Sequence, residues 1–413
     1  MTEFSYRNGT LHAADVAVAD IVREAGTPVY IYTAGAIRSA YGALDAAFAG
    51  TPHGLHYALK ANSTLAVLRL LRSLGAGADA NSGGEIDVAL RAGFAPGQIV
   101  FTGVGKTSDE LDRAIGLGVK AINIESDGEA ARIDALARAR GLRASVAVRV
   151  NPDIAANTHA KISTGERFNK FGIPIEFAAG LLRGMATRPG LDPVGLHVHL
   201  GSQLTDMEPV GRAAAALAAL AQEARDAGVR LRHLDLGGGL GIAYDGGSGP
   251  DPVTYAATIR PIVAATGLDL LLEPGRFLLG PAGVLVGRVA DIKTYPGSPR
   301  FLVLDTGMTE LIRPALYGAM HRIIPVTPRP GPESVYEVVG PLCETSDTLG
   351  HERTFGPVEA GDAFAVCDAG AYGMVMASNY NRRPFAAEVL VDGGDWRVIR
   401  RRQTTEELMG WEL

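Results

Sequence analysis

The sequence predicts an α/β protein: a closed (β/α)8 barrel of the TIM type, followed by an antiparallel β domain. Three observations predict it. From about residue 54 to 275, short apolar runs alternate with helical segments eight times, and eight βα units favour a closed parallel barrel over an open sheet. The first four apolar runs recur at roughly 22-residue intervals, a natural length for one βα unit. After Gly280 helical periodicity fades, and Gly, Pro and Asp punctuate short β-rich runs. The expected division is a barrel over 28–279 and a β domain over 280–413, joined by residues 1–27, which do not fit the barrel pattern.

The expected barrel strands are Leu55–Lys60, Ala76–Ala80, Gln98–Thr102, Ala121–Glu125, Ala144–Val150, Val194–Leu200, Leu231–Leu236 and Asp269–Glu273. Three helices open on a capping box, Ser82 with Glu85, Thr107 with Glu110 and Ser126 with Glu129. Gly75, Gly93 and Gly141 stand where a helix ends on a left-handed residue. The gap after the fifth strand holds a polar loop, Pro152–Gly172, of a length that is often functional. The β domain is expected to use Val284–Ile292, Arg300–Asp305, Ser334–Val339, Ala363–Cys367, Ala386–Val391 and Trp396–Arg400.

Composition narrows the function. The chain has 413 residues and a net charge of −6, and its one basic cluster, Arg400-Arg401-Arg402, is three residues long; no nucleic-acid partner is expected. No apolar stretch follows a basic start, and none is long enough to span a bilayer, so a cytoplasmic protein without a membrane partner is expected. Cys343 and Cys367 give neither a disulfide framework nor zinc spacing, and no metal is expected.

Chemistry in a barrel sits at the C-terminal mouth, so the strand ends are where to look. They carry Lys60, Asp79, Glu125, Asn151, His199, Gly237 and Glu273. In His56-Tyr57-Ala58-Leu59-Lys60, strand alternation puts His56, Ala58 and Lys60 on one face. A desolvated lysine there has the lowered pKa that Schiff-base chemistry with an aldehyde needs; the other reading is a solvated strand-end lysine. Gly237-Gly238-Gly239 follows an apolar strand and offers bare backbone N–H groups to an anion, or else is a flexible turn. A dinucleotide fingerprint fails, because its last position falls on Ile242 or Tyr244. Gly105-Lys106-Thr107 resembles the end of a P-loop, but Val100 stands where that motif needs glycine. His197 and His199 share a strand face, one suited to the core and the other to stacking on an aromatic cofactor; Ser202 is placed to donate to a phosphate. Glu273-Pro274-Gly275-Arg276 pairs an acid with a base, either as a rim salt bridge or as a carboxylate for a pyridine nitrogen beside an arginine for an anion.

These residues resemble the fold type III pyridoxal-phosphate decarboxylases, whose barrel is alanine racemase-like. The likeness runs nearly end to end. It includes Arg149-Val150-Asn151-Pro152-Asp153, Lys170-Phe171-Gly172, Ile312 to Gly318, Gly340-Pro341-Leu342-Cys343-Glu344, Ala369 to Gly373 and Ser378-Asn379-Tyr380-Asn381. The resemblance implies pyridoxal 5'-phosphate as cofactor, held on Lys60, with His199 stacked on its ring and Glu273 at its nitrogen. Asp79, Ser202, Gly237, Gly238, Gly239, Pro274, Gly275, Arg276 and Tyr372 are implied as further cofactor contacts. Arg276, Arg313, Tyr317, Glu344 and Tyr372 are implied as substrate contacts, and Cys343 as proton donor. It also implies a homodimer in which Cys343 and Glu344 complete the partner's site, with the Pro152–Gly172 loop covering the mouth.

Within that family the implied reaction is decarboxylation of meso-2,6-diaminopimelate to L-lysine and carbon dioxide. The acid at Glu273, rather than an arginine, favours decarboxylation over racemisation. A decarboxylase of another basic or carrier-tethered amino acid, of ornithine, lysine, arginine or glutamyl type, is the alternative. A non-catalytic cofactor-binding or regulatory homologue is another, although such relatives tend to lose the lysine or the cysteine. Thr309-Glu310 and Thr345-Ser346-Asp347 depart from the common Asn-Asp and Ser-Gly-Asp of the family.

Overall fold

The computed structural model describes residues 3–155 and 169–412; most of the expected mouth loop lies outside them. The chain divides into two compact units, one of residues 41–242 and 249–275, the other of 1–40, 243–248 and 276–413.

The first unit is the barrel. Strands His53–Ala58, Gly77–Ala80, Ile99–Phe101, Ala121–Ile124, Ala144–Asn151, Leu191–His197, His233–Asp235 and Asp269–Leu272 pair in parallel, each with the next. Asp269–Leu272 pairs back onto His53–Ala58 and closes the ring. The crossover helices start where their caps predict. Thr107 and Glu110 form the full reciprocal box at Ser108–Leu117. Ser82 and Ser126 each accept the N3 amide, but their glutamates reach one residue further back, to the amides of Asn81 and Glu125. Gly75, Gly93 and Gly141 all adopt positive φ, the left-handed conformation that costs glycine nothing.

The barrel interior alternates bulk with bareness. His56 fills the space beside Gly77, where a Cβ would lie 2.4 Å from its ring, and His233 fills that beside Gly195 at 2.3 Å. The discarded P-loop remnant has a structural role: Lys106 is buried and donates to the carbonyls of Gly103 and Asn123 and to Glu129 Oε1 at 3.0 Å.

The second unit holds a mixed rather than a purely antiparallel sheet, ordered Thr348–Phe355, Ser334–Val339, Phe301–Leu304, Gly283–Lys293, Val29–Thr33, Ala387–Asp392 and Asp395–Arg400. Most pairings are antiparallel, but Phe301–Leu304 runs parallel to Ser334–Val339, and Ala387–Asp392 parallel to Val29–Thr33. Val29–Thr33 falls inside the stretch expected for the barrel. All five of its residues are buried at the centre of this sheet, because the run Val-Tyr-Ile-Tyr-Thr suits a strand covered on both faces. The unit's core gathers Leu11, Ile21, Ile31, Val286, Ala365 and Val389.

The two interior histidines generate a prediction. Burial, and secondarily the Lys120 ammonium, lowers His56 to about 4 and His233 to about 3, from an ordinary 6.5. Below about pH 6.5 the unfolded chain takes up protons that the folded barrel refuses, so this contribution to stability is complete above that pH and is lost as pH falls toward about 4, at up to about 1.4 kcal/mol per pH unit per histidine. The variant His56→Gln/His233→Gln should show a flatter fall of urea-unfolding free energy between neutral pH and about pH 5; a slope equal to wild type would contradict the assignment.

Candidate active site

Among the described residues, nine of the barrel unit line a cavity of about 250 Å³: Lys60, Asn81, Thr102, Gly103, Arg149, Phe171, His197, His199 and Glu273. Lys60 is not on the strand. His53–Ala58 ends at Ala58, and Leu59–Ala61 form one 3₁₀ turn, so backbone curvature rather than strand alternation aims the amine. Nor is Lys60 desolvated. Its side chain is 37% exposed, and its Nζ lies 3.1 Å from Oδ2 of the fully buried Asp79. The expected neutral amine is thus an ion pair in this structure, because Asp79 supplies a counter-charge at the end of the neighbouring strand.

Glu273 directly follows the last strand at 3% exposure. His197 Nε2 lies 3.3 Å from its Oε2, and the Thr102 hydroxyl donates to its Oε1 at 3.4 Å. Burial works against its charge, but His197 and the Lys60 ammonium overcome it and hold the carboxyl well below the ordinary range. Asp235, fully buried beside Glu273, is driven the other way, upward, by burial and by the Glu273 charge. One Asp235 oxygen accepts from the Gly237 amide at 2.8 Å, whereas Oδ2 has no donor. Of these two neighbouring acids, Glu273 is therefore driven toward its charged form and Asp235 toward its protonated one. Burial, followed by Glu273, also raises Asp79, against the pull of Lys60.

His197, Asp235 and Glu273 bring possible metal-ligand atoms within 4.8 Å of one another. With Asp235 driven toward its protonated form, the cluster offers a cation one carboxylate and one imidazole, and the half-buried lysine beside it suits an aldehyde rather than a cation.

His199 is neutral: burial first, then Lys60 and Arg149, lower its pKa well below the ordinary value. Its Nδ1 accepts from the Gly238 amide at 3.2 Å. This corrects the expectation for the glycine turn. The Gly237 amide is committed to Asp235 and the Gly238 amide to His199, so among the described residues only the Gly239 N–H of the three lacks an internal partner. The glycines are required nonetheless. A Cβ would meet Val198 O at 2.5 Å from Gly237, Glu273 O at 2.2 Å from Gly238, and Gly201 O at 2.5 Å from Gly239. The Ser202 loop is tied to this turn by Leu204 N to Gly239 O and Gly241 N to Leu204 O. Pro274 is fixed by the Ala58 amide, which donates to its carbonyl. A bare, tightly packed turn, a stitched serine loop, an exposed lysine and a buried carboxylate fit the phosphate, aldehyde and ring nitrogen of pyridoxal phosphate.

Residues without an assigned role in the sequence join this wall. Glu125 receives Arg149 Nη1 at 2.6 Å and the Gly172 amide at 2.7 Å, and Arg149 lies over the Phe171 ring at 4.6 Å. The motifs around residues 149 and 171 thus meet through one strand-end glutamate. Asn151 holds the same corner, its amide donating to Phe171 O and its oxygen accepting from Asp153 N.

In the second unit, Arg276 and Arg313 converge on Tyr244. Each donates through Nη1 to its hydroxyl, at 2.5 and 2.7 Å, and Arg276 lies 4.8 Å from the centre of the Tyr372 ring. Tyr372 adopts a left-handed φ of 57°, held between Gly370 and Gly373. A Cβ at those glycines would meet Leu279 O at 1.9 Å and the Tyr30 hydroxyl at 2.5 Å. Tyr317 ends the short helix Arg313–Tyr317. Cys343 and Glu344 lie in an exposed stretch, and Glu344 accepts from the Ser346 amide and hydroxyl. The unusual Glu310 is buried and satisfied by the Gly307 amide and the Thr306 and Thr309 hydroxyls, so the Thr309-Glu310 change is internally compensated.

Residues 34–280 match the model of the pyridoxal-dependent decarboxylase, pyridoxal binding domain. The diaminopimelate decarboxylase of Pseudomonas aeruginosa is 44% identical over 100% of this chain and 99% of its own. The crystal structure of diaminopimelate decarboxylase from Helicobacter pylori complexed with L-lysine superposes with a TM-score of 0.92 at 38% identity, covering 95% of this chain and 98% of that one. That of M. jannaschii in co-complex with L-lysine gives 0.94 at 34%, covering 99% and 97%. The chain therefore belongs to the pyridoxal-dependent decarboxylases, in the family of the diaminopimelate decarboxylases.

Proposed function

We propose that this protein decarboxylates meso-2,6-diaminopimelate to L-lysine and carbon dioxide, the last step of lysine biosynthesis, with pyridoxal 5'-phosphate as cofactor. The observation that carries the reading is one cavity holding a half-buried Lys60 together with an ionised, buried Glu273, in a chain alike along its whole length to proteins of that activity. Bound pyridoxal phosphate supplies an aldehyde for an amine and a ring that withdraws electrons from the bond between the α-carbon and its carboxylate. Lys60 anchors it covalently, with Asp79 holding the amine in place. Glu273 keeps the ring nitrogen protonated, and a neutral His199 suits stacking on the ring because it brings no competing charge. Ser202, Gly239, Gly275 and Tyr372 receive the phosphate.

Arg276, Arg313 and Tyr317 read the substrate carboxylate that stays behind, and Glu344 its amine. Cys343 donates the proton that replaces carbon dioxide. We assign Cys343 and Glu344 to the partner's site in a homodimer. Their exposure within the single chain supports that assignment, as the thiol otherwise faces solvent. Among the described residues no helix is long and apolar enough to cross a membrane, and two unpaired thiols suit a reducing cytoplasm.

Carbon dioxide release should be measured with diaminopimelate, lysine, ornithine and arginine. Turnover of the first alone is expected; turnover of any other without it would overturn the reading. Lys60→Ala should lose both the visible absorbance of the bound cofactor and activity, and full activity in that variant would refute the lysine's role. Mixing inactive Lys60→Ala and Cys343→Ala chains, with subunit exchange, should restore about a quarter of the wild-type sites, because half the random dimers then carry one intact site. No recovery in mixtures shown to exchange would refute the shared site.

A further inference from the structure

Arg313 is buried at 5% exposure, and both of its hydrogen bonds leave from one nitrogen. Nη1 donates to the Tyr244 hydroxyl at 2.7 Å and to His321 Nε2 at 2.9 Å. A guanidinium nitrogen of that kind has two protons, so Nη1 is fully used. Nε is buried without a partner, and among the described residues no carboxylate pairs with Arg313. His321 is itself fixed. It is fully buried, and its Nδ1 donates to Cys367 O at 2.8 Å. That bond leaves Nε2 as the acceptor, a tautomer available only to a neutral ring. Burial, followed by the Arg313 charge, lowers its pKa to about 3, so the ring remains an acceptor at any working pH.

Tyr244 is fixed by the same group. Its ring meets His321 edge-on at 4.9 Å, Arg313 lies over its face at 4.8 Å, and its hydroxyl also accepts from Arg276. The Tyr244 hydroxyl oxygen therefore bridges the two guanidinium groups. Repulsion by Arg276 is one of the causes, after burial, that lower Arg313.

We propose that Tyr244 and His321 are positioning residues for substrate recognition. By occupying both protons of Arg313 Nη1 and tying Arg276 to the same oxygen, they leave the Nε–Nη2 edge of Arg313 to grip a carboxylate side-on. An arginine held this way binds a carboxylate through two parallel N–H bonds. The ligand class is an amino acid that keeps a carboxylate remote from the reacting carbon. The inference rests on Arg313 reading that carboxylate, as proposed above, and adds what orients it.

The test compares two ligands of the holoenzyme that differ only in that group: L-lysine, and cadaverine (1,5-diaminopentane), which is lysine without its carboxylate. Binding of each is followed by the change in visible absorbance of the bound cofactor. Tyr244→Phe, which removes one oxygen and keeps the ring, should weaken lysine about tenfold or more, a loss of about 1.4 kcal/mol, while cadaverine binding stays as in wild type. His321→Phe should do the same; if that variant fails to fold, Tyr244→Phe alone decides. Equal weakening of both ligands in Tyr244→Phe would mean a scaffold role and overturn the proposal, as would no change in either. Arg313→Lys separates the two levels. If it leaves the preference for lysine intact, the reading of Arg313 fails and the positioning proposal with it. If it abolishes that preference but Tyr244→Phe does not, only the positioning proposal fails.

Discussion

A charge buried at the end of the last barrel strand constrains everything around it. Glu273 sits among groups that must keep it ionised in a place where burial alone would protonate it. The structure solves this with neighbours of two kinds. His197 and Thr102 meet the carboxylate oxygens, and Lys60 supplies positive charge from across the cavity. Burial and the Glu273 charge drive the neighbouring Asp235 toward its protonated form, which reduces the repulsion it would otherwise exert. The three acids Asp79, Asp235 and Glu273 thus divide their protons unequally, with Glu273 the most acidic. That asymmetry is what a protonated pyridine ring would require of its partner.

The same economy explains the glycines. Gly237, Gly238 and Gly239 are bare because the carbonyls of Val198, Glu273 and Gly201 stand where a Cβ would go, and this close packing lets the Gly237 and Gly238 amides reach Asp235 and His199. The turn therefore serves the buried proton network as much as any anion. In the second unit the logic is repeated with opposite sign. Arg276 and Arg313 meet at one phenol oxygen, and among the described residues Arg313 is completed by a neutral imidazole rather than by an acid. Partners of that kind orient Arg313 without cancelling the charge that a substrate carboxylate would meet.

Much of this was legible in the chain, for identifiable reasons. Barrel strands announce themselves because each apolar run is followed by a capped helix, and the strand ends Lys60, Asp79, His199 and Glu273 then fall near the mouth by topology alone. The exact aim of Lys60 was not legible, since a 3₁₀ turn breaks the strand alternation one residue before it. Asp235 and Tyr244 were passed over for different reasons. Asp235 lies inside an apolar strand, where only the three-dimensional contact with Glu273 gives it a function; Tyr244 sits in a glycine-rich loop far in sequence from Arg313. Lys106 carried a misleading motif, and its role is visible only once Glu129 and two carbonyls surround it. The strand Thr348–Phe355 escaped notice because its alternation breaks where the buried pair Leu349-Gly350 meets the exposed pair His351-Glu352, and Val29–Thr33 because a buried strand shows no alternation at all.

The most direct test of the account is the protonation state of the cofactor ring in the assembled protein. Nitrogen-15 NMR of ring-labelled pyridoxal phosphate bound to the full chain should report a protonated ring nitrogen in the wild type at neutral pH, and an unprotonated one in Glu273→Gln. An unprotonated nitrogen in the wild type would contradict the role given to the buried carboxylate.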